Sequence, residues 1–234
     1  MNFFKLAVLF LLSTSNFVLG IKSVVAQSFS EASILEDDLN MSKGLPWGGR
    51  NWPYSQVTSI QDGLVNTTVG KIVIDKHEET NGSWFGYPLP GKKNFISFFG
   101  SKVEGCFVKL VYQYASASTS IEPKTIIPVR LEIGVGDKIV RLSSENSENK
   151  YWQKDYTYPV YENSKSEDRT GRWYMSSQNF LATAEQVRLL RSSPEDEVKA
   201  RITFADDSTI IFPIGIETVR RWKNVYSFNS SCKP

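Results

Sequence analysis

The chain has 234 residues, with 27 basic and 25 acidic side chains, a formal net charge of +2, one histidine and two cysteines. A charge this close to balance gives no long-range attraction for phosphate backbones, which argues against nucleic acid as a partner. One histidine and two cysteines cannot furnish the nitrogen and sulfur sets of the usual zinc, copper or iron centres, so neither a metal nor a cofactor is expected.

Residues 1–26 have the three parts of a secretory signal. Lys5 supplies the positive start, Leu6 to Leu12 the apolar run, and Val24 and Ala26 the small residues before a cut at Gln27. Ser13, Thr14, Ser15 and Asn16 interrupt the run well short of the about 20 apolar residues a membrane span needs. The expectation is an exported protein, periplasmic or extracellular, with no stable span once the signal is cleaved. Cleavage removes Lys5 and Lys22 and no acid, which makes the remaining charges equal in number.

Residues 27–63 read as a polar, partly irregular lead-in. Ser30 is placed to cap a short helix through "EASILEDDLNM", and the glycines and prolines of "GLPWGGRNWPY" break regular structure after it. From 64 to the end the chain reads as one β-rich domain, with a sub-boundary near 116–124 where Ser, Thr and Pro cluster. "VGKIVID" and "NFISFFG" are strands by their β-branched and aromatic content. "GCFVKLVYQY" alternates Cys106, Val108, Leu110, Tyr112 and Tyr114 on one face. Phe107 and Val111 on the other suggest a strand covered on both sides. "TIIPVRLEIGVGDKIVRL" is a hairpin turning at "GVGD".

"NKYWQKDYTYPVY" is an extended segment that Pro159 pushes to a sheet edge. The hydrophilic runs around it, within 143–171, read as exposed loops. Thr183 and Gln186 then form a capping-box pattern, which predicts a helix over about 183–193. "EVKARITF" and "TIIFPI" alternate cleanly and make a hairpin around "ADDS". Val219, Trp222 and Tyr226 follow helical spacing, predicting a second helix near 217–226. The sum is a mainly β chain, an antiparallel β-sandwich with short helices at its C-terminal end.

Two cysteines in an exported chain favour a disulfide between Cys106 and Cys232 over two separate thiols. His77 sits in a charged run and reads as a surface residue, and no Gly-x-Ser-x-Gly elbow or phosphate-binding glycine loop is present. The adjacent acids Asp37/Asp38, Glu78/Glu79 and Asp206/Asp207 point to opposite faces if extended, and Asp206/Asp207 serve the turn. No catalytic residue is assigned. The four Asn-x-Ser/Thr sites at Asn40, Asn66, Asn81 and Asn229 read as incidental.

Aromatic residues in loops are the remaining candidates. Trp47, Trp52, Trp84, Phe85 and Tyr87 would either stack on a ligand such as a sugar or plug the core, and plugging is the ordinary use. The expected function is a non-catalytic exported protein acting by surface binding or as an envelope component. Its partner would be a glycan or another envelope protein. The alternatives are a carboxylate-dependent glycan hydrolase and an accessory subunit docking through an open sheet edge.

Overall fold

Eleven strands divide between two sheets in the computed structural model, which describes residues 33–36, 52–80, 90–144, 150–162 and 165–232. The larger sheet runs β1 (Ser33–Leu35), β2 (Val57–Gln61), β3 (Thr68–Glu79), β4 (Lys93–Lys102), β5 (Gly105–Ser116), β9 (Lys165–Ala182), β8 (Lys150–Glu162). The smaller runs β11 (Thr209–Ile214), β10 (Val198–Phe204), β6 (Pro128–Val135), β7 (Lys138–Ser143). Among the described strands only the β1–β2 pair is parallel, besides an isolated parallel bridge between Tyr54 and Ile74. Helices α1 (Ala184–Arg191) and α2 (Ile216–Val225) complete the C-terminal part.

Alternation along the strands builds the layer between the sheets. Phe95 of β4 stacks on Phe212 of β11 with ring centroids 4.6 Å apart, and Tyr112 of β5 meets Phe204 of β10 at 5.1 Å. Leu131, Ile133 and Ile202 fill the space between, each at most 1% exposed. The sandwich expected from the strand pattern is therefore the architecture found. The Ser/Thr/Pro stretch near 116–124 is the passage from β5 in one sheet to β6 in the other, with one 3-10 turn at Pro123–Thr125.

Local signals explain the turns and helices. Gly136 adopts φ +60° between β6 and β7, a conformation that glycine reaches without steric cost. In the β10–β11 turn, Asp206 Oδ1 accepts the Ser208 N–H at 3.0 Å. Thr183 caps α1 reciprocally with Gln186, while Val187 and Leu190 are buried. On α2, Val219 and Trp222 turn inward, with Trp222 against Phe99 at 4.9 Å, and Tyr226 is buried just beyond.

The larger sheet is buried on both faces. Ile72, Ile74, Ile96, Phe98, Phe107 and Val111 form a second apolar layer on its outer side, with Ile34 among them and Trp52 packed against it. This bears out the two-sided reading of β5.

Two expectations are corrected. Within the stretch given to a Ser30-capped helix, Ser33–Leu35 is strand β1, because Ile34 enters the outer apolar layer and β2 supplies the backbone partner. Glu36 just after it is helical, and Ser30 with residues 31–32 and 37–41 lies outside the described residues. The charged run after residue 164, read as a loop, is the first third of β9. Its polar side chains are accommodated by pairing with β8, including Arg169 on Glu162 at 3.1 Å. The signal segment also lies outside the described residues.

Candidate functional site

The structure places few of the proposed ring contacts. Trp52 is half-buried and sets its ring edge-on to Phe98, with centroids 5.1 Å apart, so it extends the outer apolar layer. Trp47, Trp84, Phe85 and Tyr87 lie outside the described residues. Cys106 and Cys232 form a disulfide with Cα atoms 4.9 Å apart, tying the start of β5 to the segment after α2. Among the described residues no helix is long and apolar enough to cross a membrane, and no group of three or more metal-type ligands gathers.

His77 is partly exposed on β3, tilted against Phe95 at 6.0 Å and 4.0 Å from Glu79. Glu78 lies on the opposite face of β3, where Lys76 pairs with it and Lys92 reaches it at 3.4 Å. Of the four glycosylation-type asparagines, Asn229 donates its amide to Lys102 O at 2.9 Å, which makes it a structural residue.

Two buried carboxylates were not singled out by the sequence, because each lies in an otherwise ordinary strand. Asp75 is 5% exposed and accepts the Gly215 N–H at 3.2 Å and the Thr218 hydroxyl at 2.6 Å. Gly215 offers no side-chain cap to α2, so Asp75 reaches across from β3 to do that work. Burial raises its pKa, opposed by those same hydrogen bonds. Glu132 is 7% exposed on the outward side of the smaller sheet, between Arg201 at 2.7 Å and Arg141 at 3.2 Å. Burial would push its pKa up, but the hydrogen bond and charge of Arg201, with Arg141 and Arg130 adding, leave it lowered. Each acid is held by groups with a structural duty.

The most distinctive open feature is an edge. β8 ends the larger sheet: β9 pairs with one side of it along thirteen registered residues, and among the described residues no strand pairs with the other. The last β5–β9 pair is Ser116 with Arg172, so residues 156–162 of β8 and 165–171 of β9 continue as a two-stranded arm. Such ribbons gain little stability alone, and this one is fixed at its base. Tyr156 donates its hydroxyl to Ser116 O at 3.3 Å, and Arg172 holds Asp155 at 3.1 Å and Thr119 O at 2.9 Å. Burial, with Tyr158 and Tyr114 nearby, pushes Tyr156 up to about 12, so it remains a neutral donor.

Pro159 falls within β8, opposite Asp168. A proline is tolerated in a sheet where its missing N–H would face away from the ladder. Backbone direction alternates along a strand, so Gln153, Asp155 and Thr157 share that orientation and present their amides to the open side. Tyr161, 76% exposed, stands near the arm's tip as the largest accessible apolar side chain of the strand. What this arrangement can do is accept another extended chain by main-chain hydrogen bonding. No family model matches this chain, and neither a curated protein nor a solved structure matches it.

Proposed function

We propose that this is an exported, non-catalytic binding protein that docks on another envelope protein by taking up an extended segment of it as an added strand beside β8. The thirteen-residue open edge carries the reading. Edge strands of this length are usually shortened or covered, since an exposed row of backbone donors and acceptors invites pairing. Main-chain bonds would supply affinity, and the side chains flanking the edge, Tyr161 among them, would supply selectivity. Lys154 and Asp155, both exposed on the same strand, and Pro159 guard it against indiscriminate self-pairing.

The disulfide supports an oxidising, exported location, whether periplasmic or extracellular. The poverty in histidine and the structural duties of Asp75 and Glu132 favour binding over hydrolysis. Glycan contact through aromatic loops is the second reading, and Trp52 weighs against it by packing on Phe98.

The test is capture from an envelope extract by the mature chain and by Thr157→Pro, which removes an outward amide as Pro159 already does. A captured protein lost in the variant, with unchanged near-ultraviolet circular dichroism, is the expected result. Capture that is indifferent to Thr157→Pro in a folded protein would count against the edge.

A further inference from the structure

The smaller sheet turns its second face to solvent. With Leu131, Ile133, Ile202 and Phe212 inward, strand alternation sends Arg130, Glu132 and Gly134 of β6 outward, with Ile139 and Arg141 of β7. Lys199, Arg201 and Thr203 of β10 join them, with Ile211 of β11. The register sets these in rows across the sheet. Ile211, Arg201, Glu132 and Arg141 make one row, with Lys199, Gly134 and Ile139 beside it and Thr203, Arg130 and Ser143 on the other side.

Charge on this face does not balance. Glu132 is its one acid against four cations, and it is shared by Arg141 and Arg201. Arg130 meets the Thr203 hydroxyl at 3.3 Å and, though its charge is felt by Glu132, it makes no ion pair among the described residues. Lys199 has no ion pair among them either. Apolar area is interleaved with the charge: Ile211 is 57% exposed and Ile139 44%.

Between them lies a shallow depression of about 190 Å³, lined by Glu132, Gly134, Ile139, Lys199, Arg201 and Ile211. Gly134 leaves its floor open, since a Cβ there would find only Lys199 O at 3.6 Å. The volume falls below the roughly 300–1,000 Å³ of small-molecule pockets but accommodates one apolar side chain. Uncompensated cations around an apolar dent complement a partner that carries carboxylates around an apolar anchor.

We propose that the outward face of the smaller sheet is a second binding surface, separate from the β8 edge, for an acidic protein segment. One apolar side chain of that segment seats over Gly134 between Ile139 and Ile211. Its flanking carboxylates pair with Lys199, Arg130 and the outer nitrogens of Arg141.

Fluorescence anisotropy of the full mature chain with a labelled Asp-Glu-Leu-Glu-Asp peptide tests this, with the same peptide carrying Ser for Leu, and polygalacturonate, as comparators. The Leu peptide should bind about tenfold more tightly than the Ser peptide and weaken as salt is raised. Lys199→Glu with Arg130→Glu should lower affinity by about tenfold or more. Gly134→Val should abolish the Leu preference, and Ile211→Ser gives the same readout on an exposed residue if the valine disturbs the sheet. No binding of the Leu peptide at low salt overturns the proposal. So does binding that ignores the Leu-to-Ser change, or polygalacturonate bound as tightly with no effect of Gly134→Val. The last of these results describes an anionic glycan surface instead.

Discussion

The Asp75 carboxylate lies 2.6 Å from the Thr218 hydroxyl, although the two residues are 143 apart in the chain. With Gly215 N–H on the same oxygen, this contact starts α2 and fastens it to β3. Asp75→Ala should therefore cost roughly 1–2 kcal/mol, as loss of a helix cap does. Asp75→Asn keeps an acceptor at that place and should cost less. Thermal unfolding of both variants checks the order.

The same residue makes a prediction about pH. Burial raises the Asp75 pKa in the folded state, so folding binds its proton more tightly. The stability this contributes is complete below the unfolded carboxylate value and is lost as pH rises through the folded one. Relative to Asp75→Asn, the native protein should lose stability as pH rises from the ordinary carboxylate value through the raised folded one. Parallel pH profiles of the two melting temperatures would expose a wrong sign.

Glu132 should behave in the opposite sense. Its lowered pKa contributes stability that is present above the unfolded value and is lost as pH falls through the folded one. Glu132→Gln should cost up to about 1 kcal/mol near neutrality, a modest figure because Arg141 and Arg201 both reach solvent. The difference from the native protein should vanish in acid. Urea titrations at two pH values measure it.

The Cys106–Cys232 bond closes a loop across 126 residues of sequence. On the chain-entropy account, Cys232→Ser should cost about 5 kcal/mol. The drop in the urea midpoint, compared with that of the reduced native chain, gives the number. A small drop in both would mean that the unfolded chain is already compact.

Gly100 marks a close approach in the outer layer, where an added Cβ would lie 2.1 Å from the Phe107 ring. Gly100→Ala should destabilise by about 1–3 kcal/mol through overpacking. Part of that should be recovered in a Phe107→Leu background. A double-mutant cycle on melting curves shows whether the ring is the obstacle.

Much of the fold is legible where one physical signal acts alone. The alternation of Val198, Ala200, Ile202 and Phe204 gives β10, and the Thr183 and Gln186 pair gives the start of α1. Pro159 correctly marks β8 as an edge. β9 escapes notice because Ser176, Ser177, Gln178 and Asn179 interrupt its apolar pattern in the stretch where pairing with β5 carries it. β1 escapes because three residues show no period. Of the candidate surfaces, the β8 edge is readable through Pro159, but the arm that β8 forms with β9 is not. The cationic face is invisible in sequence, since β6, β7 and β10 contribute to it from distant stretches.

The smaller sheet joins two hairpins that the chain makes separately, β6–β7 and β10–β11, with β8, β9 and α1 lying between them in sequence. Its central seam pairs Ala200 with Ile133 and cannot zip until that long intervening stretch has been brought around. Closing so large a loop before any seam contact rewards it is a kinetic burden. Newly made chains should thus pass through a period in which the larger sheet's inner face is bare, and folding helpers would meet the protein then.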